Sequence, residues 1–219
     1  MAIQVSAFPW VPPFAQGYVR DLRVRWALEE AGMAYEEALV SPETKVSDSY
    51  RRWQPFRQVP AYRDDEVEMF ESGAIVLYIA EKSEALAPKN PAGRAKVSAW
   101  TIAALNSIEP HAANYVTTPV FYPGEPWVDG YQAATWPRLE ERLSSLSDVL
   151  RDHDWLVEDR FTAADIIMVA VLRELVDSGV LARFPVLDAY RQRGEARPAF
   201  SRALQAQLKT FRDHSPENA

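Results

Sequence analysis

The chain has 219 residues, with 24 basic and 31 acidic side chains for a net charge of −7, 16 prolines, 8 glycines and no cysteine. The lack of cysteine excludes a disulfide scaffold, a thiolate zinc site and a cysteine nucleophile. The negative charge, with no basic run, argues against nucleic acid as the main partner. No window approaches the roughly 18 uninterrupted apolar residues of a membrane span. The first six residues also lack the basic and apolar regions of a secretory signal. A cytoplasmic globular protein is expected, of one large or two small domains.

Ile3, Val5 and Ala7 alternate with polar Gln4 and Ser6 as in a short strand. A proline- and aromatic-rich loop follows from Phe8 to Gln16. Helix is predicted from about Gly17 or Tyr18, with Val19, Leu22 and Trp26 at helical spacing and Gly32 as its stop. Tyr35 to Val40 reads as a second strand. Ser41 to Gln54 is polar and poorly periodic. Val59–Arg63 and Val67–Phe70 read as two short strands around Asp64-Asp65, and Ser72 opens an apolar helix. Pro88, Pro91 and Gly93 mark a linker.

Every strong signal after that linker is helical. Val97, Trp100, Ala104 and Ile108 fit one face of a long helix that Pro110 is expected to kink or interrupt. Thr117 to Gly130, with three prolines, reads as a loop. Leu139, Leu143, Leu146 and Leu150 form one stripe. Phe200, Leu204, Leu208 and Phe211 form another, ahead of a polar tail. The order is β-α-β-(α)-β-β-α and then all helix, which gives a mixed α/β part followed by an all-α part.

Two segments carry chemistry. In the first, Val59-Pro60 stands directly before a strand, where proline is tolerated. A cis bond there would turn the Val59 N–H and C=O outward, free to pair with an extended peptide. Glu71-Ser72 lies where a strand gives way to a helix. The Ser72 hydroxyl and the first helical N–H groups suit a carboxylate, and Glu71 suits the ammonium of the same ligand. The second segment, Phe161-Thr162-Ala163-Ala164-Asp165-Ile166, is a capping box with a hydrophobic staple, which reads as structural.

The order and spacing of Gln54-Pro55-Phe56-Arg57-Gln58-Val59-Pro60-Ala61-Tyr62 and Phe70-Glu71-Ser72-Gly73-Ala74-Ile75 resemble the cytosolic, bacterial-type glutathione S-transferases. There an N-P-x-G-x-V-P-x-L stretch leads into E-S-x-A-I. Here Gln54 replaces Asn, Arg57 replaces Gly and Tyr62 replaces Leu. Val24 to Glu36 and the Thr162–Asp165 box extend the resemblance over nearly the whole chain.

The resemblance implies a thioredoxin-like glutathione-binding domain over residues 1–86. It also implies an all-α domain over 92–219 that lines the electrophile site, and usually a homodimer. Glutathione would be the co-substrate and no metal is implied, in keeping with the dispersed His111, His153 and His214. Val59 and Pro60 would hold the cysteinyl backbone, Glu71 and Ser72 the γ-glutamyl end, and Gln58 and Arg52 the glycyl region, with Lys45, Arg51 and Trp53 nearby. The family supplies a hydroxyl or thiol near the first helix to favour the thiolate. Tyr18 stands at the seryl position and Arg20 at the cysteinyl one, and Ser6 is a third candidate. His111, Asn114 and Tyr115 fall on the helix expected beside the electrophile. Without cysteine, chemistry through an enzyme–glutathione mixed disulfide is disfavoured. Conjugation to a small hydrophobic electrophile is the expected reaction. Peroxide reduction, isomerisation, dehalogenation and a non-catalytic binding role are the alternatives.

Overall fold

The computed structural model describes residues 2–216. The chain divides into two compact units: the residues up to Leu86 together with those from Arg197 onward, and Ala87–Ala196.

The first unit is built on a four-stranded sheet. Its strands are β1 (Ile3–Ala7), β2 (Tyr35–Leu39), β3 (Ala61–Arg63) and β4 (Glu68–Phe70), in the order β2-β1-β3-β4. β1 and β2 run parallel, joined through α1 (Asp21–Ala31), while β3 is antiparallel to both β1 and β4. α2 (Pro42–Val46) and α3 (Asp48–Trp53) occupy the polar stretch after β2, and α4 (Ser72–Glu81) follows β4. Ser41 and Ser47 start the two short helices by accepting the N–H groups of Thr44 and Tyr50. The poor periodicity of that stretch thus reflects two exposed helices too short to show a stripe. This is the thioredoxin-like arrangement the resemblance implies.

The first helix begins later than the sequence suggests. Pro13–Ala15 forms a 3-10 turn, Gly17 takes a left-handed backbone (φ 81°), and α1 starts at Asp21. Tyr18 and Arg20 therefore sit in the turn that enters the helix. Buried residues occupy all of Asp21–Leu28, so α1 is covered on more than one side. One cover is the last helix, α10 (Pro198–Asp213), which packs along α1. Trp26 meets Phe200 edge-on at 4.9 Å, and Arg197 grips Glu30 through two bonds of 2.6 and 2.8 Å. The buried line of α10 runs through Phe200, Ala203, Gln207, Thr210 and Phe211, whereas Leu204 and Leu208 of the expected stripe are half-buried.

The second unit is helical: α5 (Pro91–Ala103), α6 (Glu109–Phe121), α7 (Val128–Leu150), α8 (Ala163–Arg173) and α9 (Pro185–Glu195). Pro110 does not interrupt the helix. A π-helical stretch over Ala104–Ile108 joins α5 to α6, and its wider turn accommodates a residue with no N–H to give. The loop expected over Thr117–Gly130 shrinks to 122–127, because α6 runs on through Pro119 to Phe121 and α7 already starts at Val128, with Pro137 inside it. Pro119 leaves the Tyr115 carbonyl without its helical donor, and Gln132 of α7 supplies one at 2.9 Å. Leu139, Leu143, Leu146 and Leu150 are all buried, as their spacing predicts.

The capping box of α8 is present. Asp165 is fully buried and accepts the Thr162 N–H (2.8 Å), the Thr162 hydroxyl (2.9 Å), the Leu156 N–H (3.0 Å) and the Tyr190 hydroxyl (2.8 Å). No helix among the described residues is long and apolar enough to cross a membrane.

Candidate functional site

The sheet register gathers the first segment in one place. Ala61 pairs with Phe70, so Pro60 and Glu71 flank that pair at the same end of the β3–β4 hairpin. The antiparallel pairing of β1 with β3 brings Ser6, near the end of β1, to Ala61. The site therefore lies beyond the carboxyl end of β1, where the starts of α1 and α4 also converge.

The Val59–Pro60 peptide bond is cis. Val59 is 7% exposed and joins Val40 and Tyr50 in a cluster against which Phe8, Val19 and Trp53 pack. No hydrogen bond engages the Val59 N–H or C=O among the described residues. The loop is held from behind. Gln54 accepts the Gln58 N–H at 3.1 Å, and the Tyr50 hydroxyl donates to the Gln58 carbonyl at 2.5 Å. Burial pushes the Tyr50 phenol up, against the hydrogen bond to Ser6, so it stays a neutral donor. Arg57, at the family's glycine position, adopts φ 57°.

Glu71 is exposed and takes φ 72° as the residue before α4. Ser72 is 5% exposed, and the Arg23 guanidinium of α1 donates to its hydroxyl at 3.5 Å. Arg23 is itself buried, which makes it a buried cation beside the start of α4. The sequence reading missed it, although an arginine on the apolar side of a helix is a visible signal.

The thiol-side candidates separate. Ser6 is fully buried, accepts the Ala61 N–H at 2.7 Å and bonds the Tyr50 hydroxyl at 2.9 Å, so it splices β1 to β3. Tyr18 is 36% exposed and Arg20 is exposed. They flank Val19 in the chain, and it is Val19 that packs on the Val59 cluster. Within the aromatic loop, Pro12–Gln16 is braced by its own backbone bonds and by Gln16 to the Val11 carbonyl. Phe14 projects outward at 63% exposure.

Gln58 is exposed beside Val59, while Arg52 is exposed on α3 with no bond to the other candidates. Lys45 lies over the Phe8 ring at 5.4 Å, and Arg51 pairs with Asp48 at 3.8 Å. Trp53 donates to the Tyr62 carbonyl at 2.9 Å, a structural bond. In the second unit, His111 and Tyr115 are half-buried and Asn114 is exposed on α6, with Tyr115 against Trp136 at 5.6 Å. Among the described residues no group of three or more His, Cys, Asp or Glu side chains is placed to hold a metal ion.

A thioredoxin-like unit carrying a cis-proline loop and an acidic-Ser helix start, followed by a helical unit, defines the class. The glutathione S-transferase N-terminal domain matches residues 15–81 and the glutathione S-transferase C-terminal domain residues 113–198. Glutathione S-transferase GstA of Escherichia coli O157:H7 is 32% identical over 176 residues, covering 77% of this chain and 83% of its own. Glutathione S-transferase A3 of Mus musculus is 30% identical over 206 residues, covering 87% and 86%. A solved glutathione transferase family member from Pseudomonas fluorescens Pf-5, with two glutathione bound, superposes with a TM-score of 0.80 at 26% identity, over 93% of this chain and 92% of the other. This chain belongs to the glutathione S-transferase family.

Proposed function

We propose that this protein binds glutathione on residues 1–86 and directs its thiolate onto a small hydrophobic electrophile, acting in the cytoplasm as a homodimer. The observation that carries the reading is the Val59 backbone. Its N–H and C=O are unpaired among the described residues, beside a cis proline and at the same hairpin end as Glu71 and Ser72. An extended tripeptide satisfies such a backbone pair as an added strand would. Its α-carboxylate then meets the Ser72 hydroxyl and the first N–H groups of α4, with Arg23 adding positive charge, and its ammonium meets Glu71. Gln58 and Arg52 take the glycyl end.

The thiol of such a ligand has an ordinary pKa near 8.5, so the site must favour its anion. Tyr18 as a phenol donor, or Arg20 as a positive charge, does so from the entry turn of α1. The rest of the acceleration comes from holding thiolate and electrophile together. Phe56, 64% exposed and edge-on to Phe70 at the sheet margin, suits a contact with a second copy.

Calorimetric titration with glutathione tests the binding. Micromolar to millimolar affinity is expected, weakened at least about tenfold by Ser72→Ala, which removes a hydrogen bond to a charged group. No heat at millimolar ligand sinks the reading. Turnover of an activated aryl halide then separates the two activators. Tyr18→Phe lowers the rate if the phenol acts, and Arg20→Gln lowers it if the charge does.

A further inference from the structure

The last helix of the chain reaches the entry turn of α1 through one side chain. Gln207 is fully buried, and its Nε2 donates to the Val19 carbonyl at 3.1 Å and to Asp21 Oδ1 at 2.7 Å. Both partners are acceptors, so the amide orientation is fixed by chemistry. Val19 is the residue between Tyr18 and Arg20, and its side chain packs on the Val59 cluster. Asp21 is the first residue of α1 and is 1% exposed.

A carboxylate at that position ordinarily turns toward the free N–H groups of its own helix. Here it cannot. Arg25 holds Oδ2 at 2.6 Å while Gln207 holds Oδ1. Arg25 is held in turn by Glu37 at 2.5 Å, and Glu37 by the Thr210 hydroxyl at 2.8 and 2.7 Å. Nothing in this network touches the Val59 backbone, so its effect on a ligand passes through the turn.

We propose that Gln207 is a positioning residue for the thiol end of the site, fixing the turn that presents Tyr18 and Arg20 and holding the Asp21 carboxylate away from the start of α1. The proposal rests on the reading of this site as a glutathione site. Removing the amide donor frees the Val19 carbonyl and leaves Asp21 Oδ1 to turn toward the helix start about the Arg25 bond. A negative group there opposes the thiolate.

The test titrates the thiol of bound glutathione by the ultraviolet absorbance of its thiolate, in the full-length protein. Gln207→Met keeps the length of the side chain and loses the donor. The midpoint is expected to rise by about one unit, with kcat/KM near pH 6.5 falling about tenfold and recovering at high pH. Gln207→Asn keeps an amide one methylene too short to span both acceptors, and gives the same shift should the methionine variant fold poorly. Arg197→Gln is the control. It loosens the same helix by removing the paired bonds to Glu30, and lowers the melting temperature without moving the midpoint.

A wild-type midpoint in folded, glutathione-binding Gln207→Met overturns the proposal and leaves the glutathione site standing. So does an equal shift in Arg197→Gln, which assigns the effect to helix docking in general. Absence of glutathione binding to the wild type removes the site reading itself, and this proposal with it.

Discussion

Four non-glycine residues among those described hold a positive φ, and two of them, Arg57 and Glu71, do so for different reasons. Arg57 (φ 57°) sits where the related motif has glycine, its side chain is exposed, and it closes the loop through its N–H to the Gln54 carbonyl at 3.0 Å. The left-handed region costs an L-residue roughly 1–2 kcal/mol, against about 0.5–1 kcal/mol of extra chain entropy for glycine. Arg57→Gly is therefore expected to gain up to about 1 kcal/mol, read as a melting temperature about 2–4 °C higher, with no loss of glutathione binding. Glu71 (φ 72°) bears similar strain, but it is exposed directly before α4, where the proposed ligand's ammonium would be held. Glu71→Gly is expected to stabilise the fold likewise while losing most of the affinity, measured by calorimetry beside a thermal melt. Strain at a residue proposed to bind and strain at an exposed loop residue are separated by that pair.

Among elements, the β3–β4 turn shows how a few side chains fix a whole hairpin. Asp64 accepts the N–H groups of Glu66 and Val67 at 2.9 and 3.0 Å, and the hydroxyls of Tyr62 and Tyr78, each at 3.0 Å. It also accepts the Lys82 ammonium of α4 at 3.0 Å. Burial works to raise the Asp64 pKa. The Glu66 N–H, Lys82, the Val67 N–H and Tyr62 outweigh it and hold the carboxyl well below its ordinary value. A depressed folded pKa gives stability that is present above the unfolded value near 3.8 and is lost as pH falls below it. Asp64→Asn is thus expected to cost most at neutral pH, and progressively less in denaturant titrations repeated from pH 5 down to pH 2. An unchanged penalty across that range contradicts the charged role.

The same scale shows what could be read from the chain. Val59-Pro60 and Glu71-Ser72 were legible because the hairpin that joins them is local, running only from Ala61 to Phe70 with its strands marked by Asp64-Asp65. The Thr162–Asp165 box and the leucine stripe of α7 were legible for the same reason. The prolines of α6 and α7 were not. Whether Pro119 ends a helix depends on Gln132, a residue of the following helix, which rescues the carbonyl it orphans. The start of α1 was likewise delayed by a 3-10 turn that no periodicity announces. Gln207 was out of reach, because its partners lie 188 and 186 positions away and a glutamine in an apolar stripe reads as surface.

For the molecule as a whole, the first unit is closed by the last helix of the chain. Phe200 supplies the apolar part of that closure against Trp26, and both rings are almost fully buried. Phe200→Ala is expected to cost about 3–5 kcal/mol, combining lost transfer energy with the cavity left behind. Thermal and urea unfolding measure it, and the first unit should lose its cooperativity before the helical unit does. A cost under about 1 kcal/mol would show that α10 is dispensable to the first unit.

That closure sets an order on biosynthesis. The strands and α1–α4 leave the ribosome first, yet the helix that covers Trp26 and supplies Gln207 and Thr210 emerges only after all of Ala87–Ala196 has been made. At about 5–20 residues per second, the nascent first unit waits on the order of ten seconds with that face bare. The helical unit is contiguous in the chain and suffers no such delay. A release of the chain before Arg197 would therefore leave a finished helical unit attached to a sheet whose α1 entry turn has never been fastened.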